Sequence, residues 1–203
     1  MKTLVVLAAT TAILGSAANT VEFNMKDPKG VSGMAVSIDS MLEPVRGHAT
    51  GISGQVIFDR DKPENSTGKI VVDAKSFQLG SKDLTDAMHG DWCLDVAKYP
   101  TIEFNVTKIA NVKKAKDGSF NVSVTGDFKL KGVSKSITVP ATVAYLPGKL
   151  KARGGMPKDG DLIKVSSKFS IKRSDWNVAP DLSTDIIGDV IQIDLSTIGV
   201  APK

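Results

Sequence analysis

The sequence predicts an all-β domain, either a sandwich or a barrel. Apolar residues occupy alternate positions from Phe120 to Leu130, and the alternation resumes from Ile137 to Tyr145. Such period-two alternation places one set of side chains on a buried face and the other in water. The break between the two runs contains Gly132, which indicates a hairpin turn. About eight strands of this kind, at short spacing, are typical of a sandwich or a barrel.

The other predicted strands follow the same alternation or are short apolar runs. Four lie before residue 80, and the last of these must bend near Lys75–Ser76. They are Val21–Met25, the alternating Met34, Val36 and Ile38, Ser53–Asp59, and Lys69–Leu79. Three more follow, at Thr101–Ile109, Ile163–Ile171 and Asp189–Leu195.

One segment departs from the strand pattern. Residues Ser81 to Gly90 carry Leu84, Ala87 and Met88 at helical spacing. Ser81 is a suitable N-cap and Gly90 a suitable stop, so a single short helix is predicted near 81–90.

The N-terminus resembles a secretory signal peptide. A basic start at Lys2 precedes an apolar run from Leu4 to Leu14 and the small residues of Gly15–Ala18. The run is too short to span a bilayer, although a retained anchor is the alternative. We therefore expect a signal peptide at 1–18, cleaved near Ala17–Ala18, and one soluble exported domain at 19–203, periplasmic or secreted.

Catalytic and metal-binding motifs are scarce. His48 and His89 are not in metal-ligand spacing with each other or with Cys93, and no Gly-rich nucleotide loop is present. A catalytic pair of His89 and Cys93 lacks an evident orienting residue, and the lone cysteine is expected to be buried. We predict no enzyme activity, no metal and no cofactor. The basic cluster Lys113–Lys116 is interpreted as a solvated hairpin loop, so no nucleic acid is expected as a partner.

Four segments together resemble the YceI-like family. They are Val45–Asp59, Leu94–Phe104, Val124–Lys135 and Phe169–Trp176, in the order and spacing of that family's motifs. The resemblance covers nearly all of the predicted mature chain. It implies an eight-stranded antiparallel barrel of lipocalin-like shape, exported from bacteria, that holds a polyisoprenoid in an elongated cavity. Many members carry a histidine in the helix before the Tyr-Pro motif, whereas this chain has Leu84–Met88 without one.

In such a barrel, alternate side chains along each strand face the interior. This alternation predicts which residues line the barrel. The predicted lining residues are Ile102, Phe104, Val106, Phe120, Val122, Val124, Ile137, Val139, Val143, Phe169 and Ile171. Met88 and Trp92 are predicted to close one end. Arg173 shares the parity of Ile171 and lies near Asp175, so the two either form a buried ion pair or contact a polar ligand head group.

These features predict a binding protein for a long-chain apolar ligand, a polyisoprenoid or isoprenoid quinone-like lipid, for carriage, storage or sequestration. Such a ligand already resides in hydrocarbon when it is in a bilayer, so we expect transient membrane contact for its exchange. Two alternatives stay open. One is a redox accessory or enzyme acting on a bound quinone-like molecule, for which His89, Cys93 and Arg173 are the candidate groups. The other is a stress-response scavenger of apolar compounds.

Overall fold

The computed structural model describes residues 19–155 and 158–203, so the predicted signal peptide at 1–18 lies outside the described residues. The described chain forms one β-sheet and one α-helix, α1 (Lys82–His89). The strands are β1 (Thr20–Asn24), β2 (Gly33–Ile38), β3 (Val45–Ala49), β4 (Ile52–Asp59), β5 (Thr67–Asp73), β6 (Phe77–Leu79), β7 (Thr101–Lys114), β8 (Phe120–Leu130), β9 (Val133–Leu146), β10 (Gly160–Lys172) and β11 (Val190–Pro202). Among the described residues, no helix is long and apolar enough to cross a membrane.

The sheet closes into an eight-stranded antiparallel barrel because three of its wall strands are bent into two pieces. β1 pairs with β4 while β2 pairs with β3, and β4 pairs with β5 while β3 pairs with β6. Both β1 and β2 pair with the same edge of β11, which closes the barrel at Asn24 and Val200. When each bent pair is counted as one strand, the barrel has eight strands, and each lies beside the strand that precedes or follows it in sequence. The predicted fold class is therefore confirmed.

Local chemistry explains the predicted turn and the predicted bend. The β8–β9 hairpin turns through Lys131 and Gly132, whose φ angles of 47° and 78° give the strand twist that two-residue hairpins require. The bend between β5 and β6 is a 3₁₀ turn at Ala74–Ser76, where the Asp73 carboxylate accepts from the Lys75 N–H at 3.0 Å. The predicted bend near Lys75–Ser76 is therefore confirmed.

Helix α1 packs against β6. Its N-cap is Ser81, whose hydroxyl accepts from the Leu84 N–H at 3.2 Å, and its C-cap is Gly90, as predicted. The helix is bonded to β6, because Leu79 N–H donates to Thr85 Oγ1 at 3.0 Å and His89 Nε2 lies 2.9 Å from the Phe77 carbonyl.

Some strand boundaries were predicted wrongly. β3 was not predicted as a strand, because V-R-G-H-A has too few apolar residues to show alternation. β7 runs on to Lys114, so Lys113 and Lys114 belong to a strand and not to the predicted hairpin loop, since each pairs with β8. β11 runs to Pro202 rather than ending at Leu195, because its C-terminal half pairs with β10.

Candidate functional site

The barrel encloses an apolar cavity on the inner faces of its strands. The space open to the centre of a water-sized sphere is about 130 Å³. A single water needs on the order of 10–15 Å³ by this measure, so the cavity is far larger than a packing defect. Its walls are aliphatic and aromatic side chains from β4, β5, β7, β8, β9 and β10. The barrel is therefore only partly filled by its own core.

The exposure of the inward-facing residues agrees with this conclusion. Phe104, Val106, Phe120, Val143 and Phe169 line the cavity and yet are only half-buried. Inward-facing side chains in a filled barrel would be surrounded by other side chains on all sides. These residues instead border open space.

An aromatic cluster forms the inner end of the cavity. The rings of Phe128 and Phe169, which both line it, meet edge to face with centroids 6.2 Å apart. Trp176 packs edge to face on Phe128 at 5.4 Å and donates its indole N–H to the Phe128 carbonyl at 3.3 Å. Beyond this cluster the barrel is packed by residues that include Phe77, Ile171 and Val178.

A second apolar cluster fills the barrel where β1 crosses β4 and β11. Phe23 and Met25 are fully buried there, together with Phe58 and Ile163. Gly199 permits this packing, because a Cβ at that position would lie 2.5 Å from the Met25 sulfur. The cavity therefore occupies the space between two packed ends.

A gap in the barrel wall lies between β5 and β7, and we infer that it is the mouth of the cavity. Their pairing stops at Lys69 and Asn105, so residues 106–114 of β7 pair only with β8. That stretch of β7 has two register shifts, which bend a strand away from its neighbour. The turn before β5 borders the gap, and its Pro63 and Ser66 line the cavity, as does Gly68 of β5.

A buried carboxylate holds the turn that borders the mouth. Asp59 Oδ1 accepts from the N–H groups of Asp61 and Lys62 at 3.0 and 2.9 Å, and the Asp59 N–H donates to Ser66 Oγ at 3.0 Å. These bonds fix the chain just before Pro63. One side of the mouth is therefore this ordered turn, and the other side is the edge of β7.

One ion pair joins β5 and β7 beside the cavity. Lys69 Nζ lies 2.7 Å from Glu103, and its hydrogen bond to Glu103 is the main cause that lowers the pKa of that carboxyl. The polar side chains in the cavity lining are Ser66, Thr67, Ser167 and Glu103, and Glu103 is already paired with Lys69. This site is suited to a hydrocarbon chain and not to a polar molecule.

Nine of the residues proposed from strand parity border the cavity. The predicted residues that line the cavity are Ile102, Phe104, Val106, Phe120, Val122, Val124, Val139, Val143 and Phe169. Ile137, Ile171 and Met88 do not line it and belong to the packed core. Trp92 is 43% exposed and does not line it either.

Several lining residues were missed. Six of them, on β4, β5 and β10, are Val56, Phe58, Ile70, Val72, Ile163 and Val165. Val165 and Ile163 share the parity of Phe169, so the alternation of β10 could have found them. Phe128 and Ala141 could have been found by the parity of their own strands.

Arg173 and Asp175 are not brought together, so the predicted ion pair between them is wrong. The Arg173 guanidinium is 3% exposed and donates to backbone carbonyls of residues 178–188, including Leu182 at 2.6 Å and Ile187 at 3.1 Å. Asp175 instead pairs with Lys135 Nζ at 2.8 Å on the surface. Arg173 does not line the cavity, and a contact with a ligand head group stays a prediction.

The candidate redox groups do not form an activated pair. Burial raises the pKa of the Cys93 thiol to about 11, which disfavours the thiolate that nucleophilic chemistry requires. His89 is bonded to the Phe77 carbonyl through Nε2. In the described part of the chain, no three His, Cys, Asp or Glu residues are grouped so that they could hold a metal ion.

The fold and the site together define a class of protein. A closed antiparallel barrel of eight neighbouring strands around an apolar cavity is the architecture of lipocalin-type ligand-binding barrels. The chain belongs to the YceI-like domain family, whose model matches residues 14–198.

Comparisons with individual proteins agree with this assignment. A UPF0312 protein of Yersinia pestis is 29% identical over 157 residues, which span 77% of this chain and 74% of that protein. The crystal structure of Burkholderia cenocepacia BcnA is similar at a TM-score of 0.65 and 29% identity, covering 82% of this chain and 95% of BcnA. The fold is also that of a polyisoprenoid-binding domain from Saccharophagus degradans implicated in plant cell wall breakdown, with a TM-score of 0.62, 15% identity, and coverage of 91% and 100%.

Proposed function

We propose that this protein binds one long-chain apolar lipid, a polyisoprenoid or an isoprenoid quinone-like molecule, inside the barrel and carries or sequesters it after export. The observation that carries the proposal is the apolar cavity with a mouth in the barrel wall. Support comes from the similar fold of the Saccharophagus degradans domain, which is a polyisoprenoid-binding domain. The predicted signal peptide supports a periplasmic or secreted site of action.

The energetics favour retention of such a ligand in water. Each methylene group moved from water into the cavity contributes about 0.8 kcal/mol, so several isoprene units make escape into water very slow. Transfer from a bilayer gains little, because the ligand is then already in hydrocarbon. The protein therefore exchanges its ligand with a membrane and protects it between membranes, and no chemical step of its own is needed.

Lipid analysis of the exported protein tests this proposal. The full precursor is expressed in a bacterial host, and the exported form is purified without detergent for native mass spectrometry and organic extraction. We expect about one long-chain isoprenoid per protein, consistent with a cavity that takes one ligand. A protein that stays empty after incubation with detergent-solubilised polyprenol and quinone would overturn the proposal. Equal uptake of unrelated apolar compounds would instead favour the scavenger.

A further inference from the structure

The two ends of the barrel carry opposite charge. The turns 60–66 and 115–119 and the loop residues 147–155 and 158–159 lie at the end nearer the cavity mouth, which we call the mouth end. The loops 39–44, 80–100 and 173–189 lie at the other end, which we call the far end.

The mouth end is predominantly basic. Six of its exposed lysines have no salt-bridge partner among residues 19–155 and 158–203. They are Lys62, Lys113, Lys114, Lys116, Lys149 and Lys158. The far end is predominantly acidic, with exposed Asp39, Glu43, Asp83, Asp91, Asp181 and Asp185.

Two of these lysines lie next to residues that line the cavity. Lys114 Nζ lies 6.0 Å from the ring centroid of Phe120, a residue that lines the cavity. Lys62 precedes Pro63, which also lines it, and its backbone is fixed by Asp59. Positive charge therefore lies beside the opening through which a ligand would pass.

We propose that the mouth end docks on the surface of an anionic phospholipid bilayer, so that the cavity opens toward the source of its ligand. This inference rests on the proposed function. The separation of charge orients the molecule, because the same surface that attracts the mouth end repels the far end. Each lysine brought to an anionic surface strengthens binding by about fivefold at moderate ionic strength, and salt weakens the effect.

The alternative is that the far end docks on the membrane by inserting apolar side chains. Its exposed apolar side chains are Met41, Leu42, Leu84 and Trp92, and Met41 is 82% exposed. Insertion of these residues would depend little on lipid charge or on salt, and the neighbouring carboxylates would oppose it on an anionic surface. The dependence on lipid charge therefore distinguishes the two orientations.

The test compares binding of the mature protein to vesicles of phosphatidylcholine alone and of phosphatidylcholine mixed with phosphatidylglycerol. We expect binding only to the mixed vesicles, and its loss at high salt. The triple variant Lys62→Glu, Lys113→Glu, Lys116→Glu should lose at least about tenfold in affinity. The control Lys75→Glu, Lys82→Glu, Lys98→Glu makes the same change in net charge from exposed positions toward the far end and should lose much less. Equal loss in both variants, or binding to neutral vesicles that salt does not affect, would overturn the proposal.

Loading from detergent separates this inference from the proposed function. Both variants and the parent are incubated with a fluorescent polyprenol in detergent micelles, and the bound probe is counted. Loading of all three with no preference for anionic vesicles would overturn the docking proposal alone. Failure of the parent to load would overturn the proposed function, and with it this inference.

Discussion

The guanidinium of Arg153 donates two hydrogen bonds to the carboxylate of Asp27, with Nη1–Oδ1 and Nη2–Oδ2 distances of 2.7 and 3.0 Å. The Asp27 side chain is 1% exposed, and it also accepts from the N–H groups of Lys29 and Val31. This pair connects the segment between β1 and β2 to the loop between β9 and β10. It therefore ties the segment between β1 and β2 to a loop of the mouth end that is far away in sequence.

Replacing Arg153 with Met should destabilise the protein by about 2–4 kcal/mol, because the buried Asp27 carboxylate loses its charged partner. Urea unfolding followed by circular dichroism measures the change. Lys151→Met is the matched control, since Lys151 is an exposed residue of the same loop that lies 3.9 Å from Asp159. Exposed pairs contribute about 0–1 kcal/mol, so equal losses in the two variants would contradict the expected role of Arg153.

The stabilisation by this pair should depend on pH. Burial acts to raise the pKa of Asp27, but the hydrogen bonds from Arg153, Val31 and Lys29 outweigh it, and the pKa lies below its ordinary value. A carboxyl with a lowered folded-state pKa stabilises the fold fully above its unfolded pKa of about 4, and this is lost as the pH falls through the folded value. The stability difference between the parent and Arg153→Met should therefore be constant near neutral pH and shrink below about pH 4. A difference that grows on acidification would contradict this account.

Filling the cavity should abolish ligand binding without unfolding the barrel. Ile70 lines the cavity, whereas the adjacent Val71 does not. Ile70→Trp places a large ring in open space, so we expect ligand stoichiometry to fall severalfold with a stability change below about 1.5 kcal/mol. Organic extraction with lipid mass spectrometry gives the stoichiometry, and thermal unfolding gives the stability.

Val71→Trp is the control for this experiment, because it adds the same ring one residue away on the same strand. It should retain the parent's ligand. Loss of ligand in both variants would point to general disruption of β5, and full retention in Ile70→Trp would show that the ligand does not occupy the cavity.

The sequence predicted the barrel because alternation is strongest in its longest strands. Along the two strands from Phe120 to Tyr145 the inward positions are apolar except Gly126 and Lys135, and the hairpin there folds as predicted. β3 was missed because Gly47 occupies an inward position next to Leu79, where a Cβ would lie 2.6 Å from a methyl carbon of that residue. A glycine selected for close packing removes the alternation on which the prediction depends.

The sequence could not show which inward residues border space and which are packed. Val139 and Ile137 have the same parity on β9, yet only Val139 lines the cavity. The difference arises from the packed cluster around Trp176, which is assembled from strands distant in sequence. The wrong prediction for Arg173 has the same cause. The alternation along β10 indicated that its side chain points inward, but it could not show that loop carbonyls accept its hydrogen bonds.

Cys93 should react slowly with alkylating reagents in the folded protein. Its pKa of about 11 lies roughly two units above that of an ordinary thiol, so the thiolate fraction at pH 8 falls by about 100-fold. The rate of iodoacetamide labelling, folded against urea-unfolded, measures this. If the folded protein is labelled as fast as the unfolded protein, the alternative function as a redox accessory would be favoured.

Replacing Arg173 should destabilise the fold while leaving ligand selection unchanged. The guanidinium donates to the carbonyls of Val178, Leu182 and Ile187 among others, and so holds the loop between β10 and β11 against the barrel. Arg173→Met leaves these carbonyls without their donor at a cost on the order of 3–5 kcal/mol. Arg173→Lys should recover only part of the loss, because an ammonium group lacks the planar array of donors.

Two measurements separate this structural role from the predicted contact with a ligand head group. Urea unfolding gives the stability of both variants, and Asp175→Asn serves as the control, since its exposed pair with Lys135 contributes at most about 1 kcal/mol. Lipid mass spectrometry of the folded Arg173→Lys protein gives the bound species. An unchanged head group is expected, because Arg173 lies outside the cavity wall and its donors are directed to the loop carbonyls. A variant with parental stability and a different bound lipid would show instead that Arg173 reads the head group.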